Sequence, residues 1–284
     1  VHPVREDLAD YFGEAMAFDR AIGELIAELK ACGEYENTII AVSGDHGAPG
    51  FPHGKCNLYS FGTQVPLLIS GPGIPGGRVV NDLVSLPDLA PTFLEAGQTP
   101  VPEVMTARSI WPTLSSKKSG WVDPARTQVF IGRERHVAEA RAGREAYPQR
   151  AIRTKDHLLI INFKPDRWPL GDPYKLDQDN PFTFKQLAQS TFITLPDEDA
   201  GPTKAWIVRN RHEVPGKSFF DHAYSKRPRL ELYDLTKDPH QMNNLANDPA
   251  HAAVQEQLEK QLMTELQQTG DPRLIDDGKY FEEL

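Results

Sequence analysis

Cysteine is scarce in this chain: Cys32 and Cys56 are the only two in 284 residues. Two such residues make neither a disulfide framework nor the repeated spacing of a structural zinc site, so free thiols are expected. No apolar run approaches the roughly 20 residues that a membrane-crossing helix needs, which excludes a helical span. The chain opens at Val1 with neither Met nor a signal segment. It also carries no Asn-x-Ser/Thr acceptor, which speaks against a glycosylated lysosomal protein. Basic residues are in deficit, 31 against 40 acids for a net charge of -9, and that argues against a general polyanion-binding coat for nucleic acid. The 39% hydrophobic and 25% charged content excludes disordered and fibrous classes. The length fits one large domain, or one domain with a subdomain.

The informative stretch is Thr38 to Pro72, TIIAVSGDHGAPGFPHGKCNLYSFGTQVPLLISGP. Thr38 to Ser43 is β-branched and apolar without alternation, the pattern of a strand buried on both faces of a parallel sheet. It stops at Gly44-Asp45-His46-Gly47. In open α/β sheets the ligand crevice lies beyond the carboxyl ends of the strands, so a carboxylate and an imidazole here are placed to meet a metal or substrate. A plain turn, with Asp45 accepting backbone N–H bonds and His46 exposed, is the alternative. Lys55 follows in a Gly- and Pro-rich loop, and Val65 to Ser70 reads as the next buried strand. A cation close to an Asp-His pair suggests chemistry on an anion.

This run resembles the sulfatase family of the alkaline phosphatase superfamily. Asp45-His46-Gly47, Gly54-Lys55, Val65-Pro66-Leu67 and Gly71-Pro72-Gly73 carry the likeness. Gly50 to Tyr59 is most similar to the heparan N-sulfatase (sulfamidase) branch. The resemblance implies a mostly parallel α/β sheet with flanking helices, followed by a smaller α+β subdomain with an antiparallel sheet. Family members carry a formylglycine nucleophile, made within a Cys/Ser-x-Pro-x-Arg motif, ahead of the Asp-His-Gly strand. Neither cysteine lies in such a motif. The chain is therefore expected to be the carboxyl-terminal part of a family member, inactive alone, with the formylglycine in a preceding half.

The rest of the chain fits that outline. Glu6 to Ala31 reads as an amphipathic helix, with Leu8, Phe12, Ala15, Phe18, Ile22, Leu25, Ile26 and Leu29 three or four residues apart and Gly33 at its end. Asp88 to Ala96 reads as a short helix, with Asp88 as a cap or first-turn residue. Gln98 to Arg126 has no periodicity and is expected as surface connection, so the boundary is placed between a catalytic part, 1–126, and a subdomain, 127–284. In the second part Gln128 to Gly132, Ala151 to Thr154, His157 to Asn162 and Leu230 to Leu235 are candidate strands, with Lys155-Asp156 as a hairpin turn. A last helix is expected from Pro249 to Gln268. Gln241 stands where the family usually has Glu, which puts one local hydrogen bond in question.

The resemblance assigns roles residue by residue. Asp45 is expected as a hard oxygen ligand to one divalent metal ion, and His46 as a second ligand or a donor to the sulfate. Ca2+ is the first choice, while a nitrogen ligand shifts preference towards Mn2+ or Zn2+. Lys55 is expected to neutralise a sulfate oxygen or meet the leaving group, the alternative being an exposed loop lysine. Arg133 to His136 and Tyr147 to Arg150 place basic residues in two loops. They fit either a charged surface or a sugar-sulfate pocket, with His136, Arg150 and then Arg135 as the substrate-binding candidates. The implied function is a sulfohydrolase acting on sulfated glycans, N-sulfoglucosamine of heparan type first. A phosphodiester or phosphonate monoester hydrolase and a non-catalytic glycan-binding remnant are the alternatives. A periplasmic or secreted compartment is favoured over a lysosomal one, and a homodimer is left open.

Overall fold

The computed structural model describes residues 2–283. It divides into two units interleaved along the chain: one is built from residues up to Ala15, Asp45–Gln64 and everything from Phe130, the other from Met16–Gly44 and Val65–Val129. The second unit ends at Val129, and the Asp45–Gln64 loop clusters with the later part of the chain.

Helix α1, His2–Ala31, ends where Gly33 takes φ +81° and Glu34 N–H reaches back to Leu29 carbonyl at 3.0 Å, a glycine-terminated closure. The expected apolar stripe is present, yet none of the helix is buried, and Phe12, Met16, Phe18 and Leu25 are each more than half exposed.

Strand β1, Ile40–Ser43, is followed by one helical turn, α2, Ser60–Thr63, and by β2, Leu67–Ser70. The two strands pair antiparallel, with Ser43 opposite Leu67 and Ile40 opposite Ser70. Parallel neighbours were expected here, and the connection explains the difference. A parallel return needs a crossover to the far end of the sheet, whereas this link carries only a single turn and re-enters at the end it left. The strands are also half-exposed rather than buried on both faces.

After β2 the second unit is organised by two buried acids. Asp88 leads into α3, Leu89–Ala96, and closes a capping box with Ser85. It also accepts from Arg126 Nη1 at 2.7 Å and Arg108 N–H at 3.0 Å. Asp82 accepts the N–H groups of Val122 and Asp123. The stretch read as surface connection thus contains α4, Trp111–Ser115, a buried Ile110 and a buried Arg126. Its order comes from backbone-to-carboxylate bonds, which leave no periodic trace.

The first unit is a four-stranded sheet in the order β3-β4-β5-β6: Gln128–Arg133, Gln149–Thr154, His157–Asn162 and Leu230–Asp234. Lys155-Asp156 forms the expected two-residue turn between β4 and β5. Between β5 and β6 lie three helices, α5, Phe184–Gln189, α6, Pro202–Arg209, and α7, Gly216–Tyr224, which share a core of Leu187, Leu195, Ala205, Val208 and Tyr224. Helix α8, Ala252–Gln268, follows, then the short α9, Pro272–Ile275, and α10, Lys279–Glu282.

Alternation along the strands decides what each sheet face covers. Ile152, Leu159, Ile161 and Leu232 pack on Leu258, Leu262 and Leu266 of α8. Ala151, Leu158, Ile160 and Tyr233 pack on Leu58 and Tyr59, from the loop after β1. That loop is also pinned by polar bonds. Tyr59 and Tyr233 both donate to Glu231 Oε2, at 2.6 and 2.7 Å, and Gln241 Oε1 accepts Ser60 N–H at 2.8 Å. The amide oxygen of Gln241 thus serves the acceptor role a Glu would.

Arg150 lies inside this unit. Its guanidinium donates to Asp271 through Nε and Nη2, to Glu134 through Nη2, and to the carbonyls of Arg133 and Gln149 through Nη1. Glu134 in turn accepts from Arg273, while Arg135 donates to the Phe281 carbonyl at 2.7 Å. Arg150 and Arg135 were expected to bind substrate; in the structure Arg150 is buried against Asp271 and Glu134 and Arg135 donates to the Phe281 carbonyl, so both also join the carboxyl-terminal segment to the sheet. Arg150→Ala would leave Asp271 without its guanidinium and Glu134 with Arg273 alone, less than a fifth of each acid's side chain being exposed. A loss of about 3 kcal/mol in urea unfolding is expected; a change under about 0.5 kcal/mol, the size usual for exposed positions, would return Arg150 to the surface class.

His53 stacks on Tyr59 with ring centroids 3.9 Å apart, its Nε2 3.2 Å from the His222 carbonyl. Burial, with Arg227 nearby, pushes its pKa down to about 4 from 6.5. The folded value lies below the unfolded one, so this stabilisation is complete above pH 6.5 and is lost as pH falls towards 4. Unfolding at pH 7 and pH 4.5 should show a loss of roughly 2–3 kcal/mol from this group. His53→Asn, which tolerates the +60° φ at this position, should flatten that slope; an unchanged slope would assign it to other groups.

Candidate functional site

The loop from Asp45 to Gln64 is closed by glycine. A side chain at Gly47 would place its Cβ 1.7 Å from the Phe61 carbonyl oxygen, and one at Gly54 would lie 2.1 Å from that of Ala48. These close approaches allow Gly47 N–H to bond Gly62 carbonyl at 2.9 Å and Lys55 N–H to bond Ala48 carbonyl at 3.1 Å. The turn that presents Asp45 and His46 is therefore tied directly to the one that presents Lys55.

Asp45 is the most open member, its side chain 84% exposed. His46 N–H donates to Asp45 Oδ1 at 3.0 Å, its Nδ1 lies 2.9 Å from the Gly47 carbonyl, and its Nε2 lies 3.3 Å from Asp45 Oδ2. Nδ1–H donates to that carbonyl, which leaves the Nε2 edge beside the carboxylate. Two such donors side by side suit a shared cation. Among the described residues no three His, Cys, Asp or Glu side chains gather as a complete metal site.

Lys55 is not a free loop lysine. Its ammonium sits 3.0 Å from Asp199 Oδ2, with both side chains partly buried. Two residues earlier, Asp197 is fully enclosed and accepts from Arg133 Nη2 at 2.6 Å, Arg141 Nη2 at 2.8 Å and Val137 N–H at 3.0 Å. His136 Nδ1 stands 3.7 Å from its other oxygen, the imidazole about one-third exposed. Burial opposes the Asp197 charge, but His136, Arg133 and Arg141 outweigh it and hold the carboxyl well below the usual carboxylate range. Both guanidinium groups lie over the ring of Tyr147.

The segment carrying these acids is itself braced. Lys204, wholly buried, donates to the carbonyls of Thr191, Leu195 and Glu198. Burial pushes the enclosed Glu198 carboxyl up and the Lys204 ammonium down. Arg133 links the two halves, because its Nη1 also donates to the carbonyl of Cys56, next to Lys55. Burial pushes the Cys56 thiol up to about 12, which keeps it protonated and unreactive.

The structure thus brings together four of the residues expected at the site in two groups: Asp45 with His46, and Lys55 with His136 through one acidic turn. Arg135 and Arg150 are left outside, in the network described above. Asp197, Asp199, Arg133 and Arg141 were missed. Asp197-Glu198-Asp199 reads in sequence as one more acidic run on a protein of net charge -9, and only long-range pairing shows which carboxylates point inward.

Comparison with known proteins shows what the chain as a whole is similar to. The family model described as Sulfatase matches residues 3–99, and that described as N-sulphoglucosamine sulphohydrolase, C-terminal, matches residues 208–268. N-sulphoglucosamine sulphohydrolase of Homo sapiens is 32% identical over 297 aligned residues, covering 99% of this chain and 52% of the human protein. The extracellular sulfatase SULF-1 homolog of Drosophila melanogaster is 40% identical over 155 residues, covering 51% of this chain and 14% of that protein. The chain spans about half the length of the human relative. Among solved structures, BT4656 in complex with its substrate D-glucosamine-2-N,6-O-disulfate superposes with a TM-score of 0.60 at 23% identity, over 90% of this chain and 40% of that one. The phosphonate monoester hydrolase of Agrobacterium radiobacter gives 0.56 at 20% identity, over 91% and 40%. At these identities the structures establish the fold, mixed α/β of the alkaline phosphatase type, and nothing finer. With two family models in order along it and a relative aligned over almost its whole length, the chain belongs to the sulfatase family.

Proposed function

We propose that this chain supplies part of the active site of a metal-dependent sulfohydrolase acting on sulfated glycans, with N-sulfoglucosamine of heparan type as the substrate class. The observation that carries the reading is Lys55: a glycine-closed turn and Asp199 hold its ammonium in the loop that begins with Asp45 and His46. A sulfate ester or sulfamate breaks down through a transition state whose negative charge lies on the sulfate oxygens, and fixed cations stabilise it. Lys55 is the cation this chain contributes. The human relative is named for N-sulphoglucosamine, and the substrate bound to BT4656 is a glucosamine sulfated on nitrogen and on O6. Both support the glucosamine reading.

The donor set fits a divalent ion. Asp45 offers an exposed carboxylate and His46 an imidazole nitrogen beside it, a mixed set that Ca2+, Mn2+ or Zn2+ can use. A bound ion would neutralise sulfate charge. Asp45 and His46 would hold it, and His46 is kept in place by the Gly47 carbonyl. In this reading His136, 3.7 Å from Asp197 and about one-third exposed, contacts the sugar. The exported setting of the Drosophila relative, named extracellular, supports a periplasmic or secreted compartment.

Two measurements test this reading. In protein expressed from its whole reading frame, N-sulfoglucosamine should be desulfated faster than the 6-O-sulfate. Lys55→Met should lower kcat by about 10²-fold or more on either, as loss of a transition-state charge partner does. Preference for a phosphonate monoester over both sulfates would move the function to phosphonate hydrolysis, a reading the shared fold allows. Separately, calorimetry with Mn2+ and Ca2+ on this chain should show weak binding that Asp45→Ala abolishes. Binding unchanged by Asp45→Ala would remove Asp45 and His46 from the metal site.

A further inference from the structure

Acids beside the cations of an anion-binding site need a reason, because each repels the substrate. Asp199 holds Lys55 at 3.0 Å with about a third of its own side chain exposed. Asp197, one residue beyond Glu198, faces His136 from a fully buried position. The turn bearing both is immobilised from behind by the three carbonyl bonds to Lys204. Arg133 bridges Asp197 to the carbonyl of Cys56, so the Lys55 backbone and the His136 side chain are referred to one scaffold. A lysine carries about 2 kcal/mol of rotamer entropy, and a tethered one has given up much of it before substrate arrives.

We infer that Asp197 and Asp199 are positioning residues of this site, one turn that sets both His136 and Lys55, and that Asp199 gives up ground-state anion affinity in exchange for a fixed Lys55. The inference rests on the proposed role of Lys55 as the sulfate partner. It implies a particular pattern on substitution. Removing the Asp199 charge unmasks the Lys55 ammonium, so an anion binds more tightly. The same change frees the lysine to wander, so turnover slows. A residue that only supported the fold would weaken both.

The test uses inorganic sulfate as the probe, titrated by NMR into the whole chain at low ionic strength, for wild type, Asp199→Asn and Lys55→Met. Asp199 is partly exposed, so Asp199→Asn is expected to fold, and amide spectra check this directly. The expected result is sulfate binding about three- to tenfold tighter in Asp199→Asn, the size of one screened charge a few ångströms away, and weaker in Lys55→Met. In protein from the whole reading frame, Asp199→Asn should lower both KM and kcat for the sulfated sugar, kcat by about tenfold or more. Sulfate binding in Asp199→Asn that is unchanged or weaker, alongside a clear loss in Lys55→Met, would overturn the positioning role and leave Lys55 as the sulfate partner. Sulfate binding unaffected by Lys55→Met would overturn the reading of Lys55 itself, and the inference with it. For Asp197, 15N spectra of the histidine side chains should show His136 as the Nδ1–H tautomer in wild type and a tautomer mixture in Asp197→Asn; an unchanged His136 signal in a folded variant would show that Asp197 does not orient it.

Discussion

The candidate site depends on one buried carboxylate. Asp197 is fully enclosed, which by itself opposes its charge, and it stays ionised because Arg133, Arg141 and the Val137 N–H converge on it while His136 stands at ion-pair distance. Breaking such a cluster from one side leaves uncompensated charge in a dry interior, which is why its geometry resists small perturbations. The imidazole of His136 faces it directly, and the ammonium of Lys55 is held by Asp199 two residues further along the same turn.

A second constraint comes from the sheet. The face of β4 to β6 opposite α8 is covered by Leu58 and Tyr59 rather than by another helix. The hydroxyl of Tyr59 is fixed on Glu231, which Tyr233 and Asn162 also engage. The loop that carries Lys55 is therefore part of the core of the later segment, despite following directly on β1. This gives a physical reason for the loop's place in that unit: Leu58 and Tyr59 are buried on the antiparallel sheet.

The charged network at the carboxyl terminus plays a different part. Arg150, Arg273 and Arg167 alternate with Glu134, Asp271 and Glu282, and Arg135 reaches the Phe281 carbonyl. Arg is suited to such work because its planar fork satisfies two acceptors at once. The same property made Arg135 and Arg150 plausible sulfate binders. Composition cannot separate the two uses, since both need a guanidinium facing oxygen atoms, and only the position of α9 and α10 says whose oxygens they are.

The sequence by itself determined the family and a subset of the elements. The apolar spacing of α1 and α8, the alternation of β4 and β5 and the turn between them, the glycines that close the Asp45 to Lys55 loop, and the Gly-Asp-His-Gly, Gly-Lys and Val-Pro-Leu runs are local patterns. Local patterns report backbone conformation and nearby packing, and they survive in the fold with end shifts of up to four residues. Tertiary structure decided the rest. It made β1 and β2 antiparallel, because strand direction depends on where a connection returns and not on what the strand contains. It left His136 partly exposed and Arg150 buried, and it gave Lys55 and His136 their acids from a turn some 60 to 140 residues away. Ion pairs over such separations leave no periodicity and no spacing to read. They exist only once apolar burial has brought the segments together, and that burial is a property of the whole fold.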